Sequence, residues 1–343
     1  MSLNNKVVWS EGMFLNPQHF QQQERYIEAL VEAKFSASGA CRWGIRDLEI
    51  DQQLLGLGKI SLVKGRGVFP DGTPFEFPAV DDSPAVIELS DNIQNEIIHL
   101  CLPVRRAGAR DVASASNNQS LARFVSQEQE IRDVSSDSSE TIKIDVGRLN
   151  LKLIAESEDL SGYISVGVMR VAEVREDNKI ILDESYIPGC LDCAGSPRLA
   201  GYFTEIISLL HSRGEAIAGR LADANRGGTA EVADYMLLQL INRLEPVFRH
   251  MAHIEGIHPL DMYSQLVQMV GELSTFVSGA RRCPVFPGYK HDDLNASFDP
   301  VITALRNCFS TVHEQSAISL QLVEKKYGIR VAEIVDRSLI GSA

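Results

Sequence analysis

Residues 179–210 read KIILDESYIPGCLDCAGSPRLAGYFTEIISLL, and the hydrophobic pattern changes its period inside this stretch. Before Pro188, apolar residues alternate as they do in β-strands. At Ser196-Pro197 a helix-capping residue precedes a proline at the first helical position. Phe203, Ile206 and Leu210 then recur at helical spacing. The sequence therefore predicts an α+β, multidomain fold, which suits a chain of 343 residues.

Short alternating segments separated by turns fill the part before residue 188. The predicted strands are Thr73–Phe77, Ile97–Val104, Thr141–Val146, Leu149–Ile154, Tyr163–Val168 and Lys179–Leu182. Turn signals such as Pro70-Asp71-Gly72 separate them. Ile97–Val104 is apolar on both faces apart from His99, so it should be a central strand. One helix, His19–Lys34, interrupts early. This pattern is typical of a β-sandwich or barrel.

Four amphipathic helices are predicted after residue 195. They begin at Ser196-Pro197, Thr229, His258-Pro259 and Asp299-Pro300. Their apolar spacing, near 3.5 residues, favours a four-helix bundle. The long connection 279–298 contains the Lys290–Asp293 charge cluster and is expected to cross the surface. Beyond residue 316, Ile318–Leu322 alternates like a strand and predicts the start of a further, incomplete domain.

Charge and hydropathy exclude several classes of function. The formal net charge of −13 makes nucleic acid an unlikely partner, because phosphate backbones would be repelled. No apolar run is long enough to span a membrane. Met1–Trp9 has no apolar core typical of a secretory signal. We therefore expect a cytoplasmic protein with no direct membrane insertion.

Three groups of residues invite a chemical interpretation, and each has a structural alternative. Cys190 and Cys193 form a CxxC pair, either a redox or half-zinc site or an inert pair in a linker. His250, His253 and His258, with Glu255 nearby, would ligate a metal or stabilise a helix C-terminus. His291-Asp292 is similar to the pair of metal-dependent phosphohydrolases of the HD class. In that class the pair lies within a helix, whereas Pro287–Asp293 is typical of a loop. Each group lacks further ligands at matched spacing, so we predict no catalytic, metal or cofactor site and no enzyme.

The N-terminal segment Val8–Gln23, VWSEGMFLNPQHFQQQ, is unusually rich in large apolar side chains. Pro17 suits the start of a helix. Gly12 and Pro17 make a regular helix over Trp9–Asn16 unfavourable. Chain termini fray unless something holds them. These side chains should therefore pack on the chain's own sheets or dock into another polypeptide, and the residues alone leave both alternatives open.

Residues Trp9-x-Glu11-Gly12-Met13-x-Leu15-x-Pro17-Gln18-His19-Phe20-Gln21-Gln22 resemble the N-terminal signature of the TssK family of type VI secretion baseplate adaptors. The resemblance implies a β-sandwich "shoulder" over residues 1–188, related to phage receptor-binding proteins. It also implies a helical "neck" over 189–315 and the beginning of a "head" over 316–343. Family members form homotrimers. Their shoulder holds the wedge proteins TssF and TssG, and their head grips TssL and TssM at the inner face of the inner membrane.

Two interaction surfaces follow as hypotheses. The wedge contact comprises Trp9, Glu11, Gly12, Met13, Leu15, Pro17, Gln18, His19 and Phe20. The trimer interface comprises Val232, Met236, Leu238 and Ile241, which lie off the main apolar stripe of the second bundle helix. Two other classes stay open: a metal-dependent hydrolase using the histidine-rich half, and a carbohydrate- or receptor-binding sandwich module.

Overall fold

A computed structural model of the chain describes residues 4–89, 93–106, 108–114, 121–135, 140–222, 229–277, 279, 281–310, 323–325 and 329–331. Its helices are α1 (Pro17–Ala37), α2 (Gln52–Leu55), α3 (Pro197–Ala222), α4 (Thr229–His253), α5 (Pro259–Val277) and α6 (Leu294–Ser310). Its strands are β1 (Gly44–Ile50), β2 (Lys59–Ile60), β3 (Leu62–Val68), β4 (Pro74–Phe77), β5 (Ile87–Glu88), β6 (Gln94–Pro103), β7 (Val112–Ser114), β8 (Phe124–Arg132), β9 (Thr141–Leu149), β10 (Lys152–Ala155), β11 (Tyr163–Val174), β12 (Ile180–Leu182), β13 (Val323–Lys325) and β14 (Ile329–Val331). The fold is mixed α and β, with strands dominating before residue 188 and helices after it.

The strands form three larger sheets with the orders β1-β3-β4, β10-β6-β11-β12 and β7-β8-β9, and two small pairs, β2-β5 and β13-β14. β6 lies between β10 and β11, which confirms the prediction of a central strand. Its alternate residues Ile98, Leu100 and Leu102 are fully buried. Every pairing is antiparallel except that of β7 with β8 among the described strands. The antiparallel pattern agrees with the short connections between successive strands.

Proline marks the start of three helices as the sequence predicts. α1, α3 and α5 begin at Pro17, Pro197 and Pro259. At the first of these, the Asn16 side chain and His19 form a capping box. The missing N–H of proline costs nothing at this position, since the first N–H groups of a helix have no partner within it.

Several predicted boundaries differ from the structure, and two of the differences change an element. α6 begins at Leu294, so Pro300 lies inside the helix. The cause is Asp293, whose carboxylate accepts the Ala296 N–H at 3.0 Å and caps the helix earlier. The predicted strand Leu149–Ile154 is divided between β9 and β10, with a tight turn between Leu149 and Leu151. The predicted strand Ile318–Leu322 lies outside the described residues.

The buried apolar side chains form one continuous cluster that extends from the sheets into the helices. β1 connects the two regions. Ile45 N–H donates to the Gly189 carbonyl at 2.8 Å, and Leu191 N–H donates to the Ile45 carbonyl at 2.9 Å. Gly44 makes this approach possible: it has φ +122°, and a Cβ there would lie 2.5 Å from the Gly189 oxygen. The predicted division at residue 188 therefore falls within a shared core.

Helices α3 to α6 pack against one another through aromatic side chains. Phe203 of α3 lies 6.2 Å from Phe248 of α4, between ring centroids. Phe298 of α6 contacts Tyr202 of α3 and Tyr263 of α5 at 6.3 and 5.7 Å. Large aromatic groups bury much apolar area, so these contacts contribute strongly to the helical part of the core.

Candidate interaction surface

Helix α1 has no buried residue, although it is 21 residues long. Its half-buried side chains include Gln22, Arg25, Tyr26 and Ala29, which share one face at helical spacing. On this face, Arg25 pairs with Asp111 at 3.3 Å. Glu28, at the border of the face, pairs with Arg105 at 2.7 Å. The helix therefore lies on the β-rich region through a mainly polar face.

The opposite face of α1 is apolar and exposed. Phe20, Ile27, Val31 and Phe35 are spaced seven, four and four residues apart and so form one stripe. Their exposed fractions are 58, 48, 61 and 40%. An amphipathic helix normally turns its apolar stripe to the core. The reversed orientation of α1 is typical of a helix that another polypeptide covers. Beyond Phe20 this stripe was not predicted, although its helical spacing is visible in the sequence.

The segment before α1 folds back onto the first turn of the helix. The Trp9 ring lies 6.1 Å from His19 and 6.4 Å from Phe20, between centroids. Asn16 N–H donates to His19 Nδ1 at 3.1 Å. His19 therefore fixes the entry of the chain into the helix, and Trp9 is positioned beside it.

Most of the predicted wedge-contact residues are exposed. Trp9, Glu11, Gly12, Leu15, Pro17, Gln18 and Phe20 are exposed, and Met13 and His19 are half-buried. Phe14, which the prediction omitted, is 90% exposed. This segment was expected either to pack on the chain's own sheets or to dock into another polypeptide. Its exposed apolar side chains do not pack on the sheets. Trp9 meets the apolar stripe of α1 at Phe20. We call the exposed apolar side chains of this segment and of the stripe together the α1 surface: Val8, Trp9, Phe14, Leu15, Phe20, Ile27, Val31 and Phe35.

The predicted trimer residues on α4 divide into two groups. Val232 and Met236 are exposed, and Leu238 is half-buried. Ile241 is 0% exposed. It faces α3, where a Cβ on Gly214 would lie 3.2 Å from its Cγ2. Ile241 therefore belongs to the chain's own core. Tyr235, which the sequence analysis did not single out, joins Val232 and Met236 on the exposed face.

The predicted histidine cluster is dispersed in the structure. His250 and His253 are exposed at the end of α4, and His253 Nδ1 lies 2.6 Å from the Arg249 carbonyl. His258 is buried elsewhere, with Nε2 2.9 Å from the Cys41 carbonyl. Within the described ranges, no three His, Cys, Asp or Glu side chains are placed so that they could hold a metal ion.

His291 is buried beneath the start of β1 and does not lie on the surface. Its Nε2 is 2.7 Å from the Trp43 carbonyl, and its Nδ1 is 2.7 Å from the Tyr289 hydroxyl. Burial is the main cause that lowers the pKa of His291 to about 4. Both ring nitrogens are thus occupied by protein groups, and Asp292 is exposed beside it. This histidine joins the helical part to the β-rich part. The connection that carries Lys290–Asp293 was expected to cross the surface, and at His291 that prediction is wrong.

The CxxC pair lies in the shared core. Cys190 and Cys193 are buried, and Cys193 Sγ lies 3.9 Å from Met262 Sδ. Burial raises the pKa of Cys190 to about 12 and raises the pKa of Cys193 as well. Because the thiolate is the nucleophile and metal ligand, a raised pKa keeps both groups in the less reactive thiol form at neutral pH.

Residues 19–343 match the bacterial type VI secretion family that includes EvfL, ImpJ and VasE. Across 343 residues the chain is 45% identical to the type VI secretion system baseplate component TssK1 of Pseudomonas aeruginosa, covering 100% of this chain and 77% of that protein. The chain belongs to the TssK family. The family that the sequence resemblance suggested is thereby confirmed.

Solved TssK structures have the same fold. A crystal structure of TssK superposes with a TM-score of 0.86 at 39% identity, covering 97% of this chain and 75% of that one. A chain of a type VI secretion TssK–TssF–TssG baseplate subcomplex superposes with a TM-score of 0.78 at 25% identity, covering 89% of this chain and 99% of that one. None of the helices among the described residues combines the length and apolar character needed to cross a bilayer.

Proposed function

We propose that this chain is a structural, non-enzymatic component of a type VI secretion baseplate that binds TssF and TssG and assembles as a homotrimer. The family membership and the named TssK–TssF–TssG subcomplex support the baseplate role. The observation that carries the assembly is α1, a helix without a single buried residue that turns its apolar stripe outward. Protein function of this kind depends on surfaces that other chains cover.

The homotrimer uses two apolar surfaces of the chain. The stripe Ile27, Val31 and Phe35 of α1 faces the same stripe in the other copies, since amphipathic helices associate through such seams. The exposed α4 face, Val232, Tyr235 and Met236, supplies a second contact along the helical part. These two surfaces would hold both regions of the chain in register around one axis.

The wedge proteins TssF and TssG bind the part of the α1 surface that precedes the helix. Trp9, Phe14 and Leu15 supply the apolar contact there, because exposed aromatic and aliphatic anchors dominate interface energies. Gln18 and His19 supply polar pairing beside them. The ring contacts of Trp9 with His19 and Phe20 preorganise this contact, which reduces the entropy lost on binding.

The domain assignment agrees with this arrangement. We infer a β-sandwich shoulder over residues 1–188, a four-helix neck over 189–315 and the beginning of a head at 316–343. The separation of strands from helices supports the first two, and the β13–β14 pair supports the third. A head would link the trimer to TssL and TssM and place it at the cytoplasmic face of the inner membrane.

Molar mass measured by light scattering tests the assembly. We expect three times the 37.8 kDa of one chain, and a single-copy species would refute the trimer. Co-expression with TssF and TssG tests the baseplate role. We expect the three proteins to elute together in size-exclusion chromatography, and a trimer that elutes without either wedge protein would refute wedge binding while leaving the trimer standing.

A further inference from the structure

We propose that a cavity of about 260 Å³ beside α1 binds a carboxylate-bearing segment of a partner polypeptide through Arg106 and Arg110. The cavity is lined by Val104, Arg106, Ala109, Arg110, Asp111, Leu121, Ala122 and Arg123. These residues lie at the end of β6 and in the connections to β7 and β8. The site is separate from the α1 surface and does not require the trimer.

Positive charge is concentrated around this cavity in a chain whose net charge is −13. Five arginines lie in or next to it, and three of them have a carboxylate partner. The three pairs are Arg25–Asp111 at 3.3 Å, Arg105–Glu28 at 2.7 Å and Arg123–Asp71 at 2.5 Å. The remaining two, Arg106 and Arg110, are exposed and make no ion pair with any described residue.

The sequence next to the cavity supplies no missing carboxylate. Residue 107 is alanine, and residues 115–120 read ASNNQS, so none of them is charged. Among the described residues of the lining, Asp111 is the one acidic residue, and its carboxylate is already paired with Arg25. Two guanidinium groups therefore remain available to an acidic ligand.

Arg123 gives the cavity a fixed floor. It is 4% exposed, and its guanidinium donates to Asp71, to Thr73 Oγ1 at 2.5 Å and to the Pro103 carbonyl at 2.9 Å. A buried guanidinium held by three acceptors has little freedom to move. The bond to the Pro103 carbonyl anchors the end of β6, three residues before Arg106.

The chemistry of the lining selects the ligand class. Guanidinium groups bind carboxylates in a planar, bidentate geometry. Val104, Leu121 and Ala122 provide apolar walls that suit an aliphatic side chain next to that carboxylate. A long polyanion fits less well, because the rest of the acidic chain would repel it. A short peptide segment combining acidic and aliphatic residues meets both requirements.

Fluorescence anisotropy with a short labelled peptide of alternating glutamate and leucine tests the site. The double variant Arg106→Glu/Arg110→Glu is compared with Arg281→Glu/Arg282→Glu, two exposed arginines in the α5–α6 connection. Each double variant changes the net charge from −13 by −4, so the two differ only in where the charge is reversed. A thermal unfolding scan of each variant checks that the fold is retained.

We expect saturable, salt-sensitive binding that weakens at least about tenfold in the Arg106/Arg110 variant, as loss of charge-assisted hydrogen bonds requires. The Arg281/Arg282 variant should bind like the parent chain, and a peptide with glutamine in place of glutamate should bind weakly to all three. Equal loss in both variants, equal binding of the glutamine peptide, or no saturable binding would overturn the proposal. Displacement of the peptide by inorganic phosphate or an oligonucleotide at similar concentration would do so too, since the site would then bind anions without selecting a peptide.

Discussion

His258 and His291 stack with their ring centroids 5.1 Å apart and their planes inclined by 16°. Each ring points Nε2 at a backbone carbonyl before β1, that of Cys41 for His258 and that of Trp43 for His291. Because a carbonyl only accepts, both Nε2 atoms are protonated. His258 Nδ1 accepts the Leu260 N–H at 3.1 Å, so this ring is neutral. Two neutral imidazoles thus join the helical part of the chain to the β-rich part.

Stability should therefore fall in mild acid. Burial lowers the pKa of both histidines, so the unfolded chain binds their protons more tightly than the folded one. The contribution of these neutral histidines to the free energy of unfolding is fully present above pH 6.5. It is lost as the pH falls towards about 4, and for His291 the loss is about 3 kcal/mol. Urea unfolding across this range measures the loss. His291→Gln keeps a donor for the Trp43 carbonyl but cannot titrate, so its unfolding free energy should depend less steeply on pH. An unchanged slope would contradict the assignment.

Trp9→Ala/Leu15→Ala should weaken capture of TssF and TssG and leave the mass of the assembly unchanged. Both side chains are exposed, and the ring contacts of Trp9 within the described part of the chain are with His19 and Phe20 at the start of α1, so their loss should not unfold the chain. Truncating anchor residues typically costs about 2 kcal/mol or more of binding energy each. A pull-down with tagged TssG measures the effect. Val285→Ala, at a residue 98% exposed in the α5–α6 connection, is the control. Full recovery of TssF and TssG by the double variant would remove these residues from the wedge contact.

Ile27→Asp/Val31→Asp should dissociate the trimer without unfolding the single chain. Both residues are exposed on α1, so the new carboxylates stay hydrated in the monomer. In the trimer they would be buried without water, which costs free energy. Light scattering should report a mass near one chain. The control is Ile142→Asp/Ile144→Asp on β9, where two exposed isoleucines lie outside the proposed interfaces. A trimeric Ile27/Val31 variant would show that the stripe faces something other than its own copies.

Gly44→Ala should be severely destabilising, whereas Gly201→Ala should not be. Gly44 has φ +122°, and an added methyl group would lie 2.5 Å from the Gly189 oxygen, so β1 would have to separate from the Gly189–Leu191 segment. Such steric conflict typically costs about 3 kcal/mol or more. Gly201 lies in α3 with nothing within 4 Å of an added Cβ, and alanine there should stabilise by about 0.5–1 kcal/mol. Thermal unfolding of both variants decides. Equal melting temperatures would contradict the role of Gly44 at the junction.

The sequence alone determined the order of strands and helices and the family. The change of period near residue 190, the prolines that open α1, α3 and α5, and the apolar run of β6 all depend on neighbours along the chain. Local sequence therefore suffices to predict them. The family, which the comparison with TssK1 confirms, was likewise suggested by a contiguous segment, Trp9–Gln22.

Only the tertiary structure decided which side of each helix is used. Periodicity reveals that a helix has an apolar face, but not whether that face meets the chain's own core or solvent. Ile241 lies opposite Gly214 in the core, while Val31 on α1 faces outward. From the sequence, His291 is part of a charged loop. In the structure it contacts Trp43, which is distant in sequence. Burial depends on residues far apart in the chain that meet only after folding, and no local pattern contains that information.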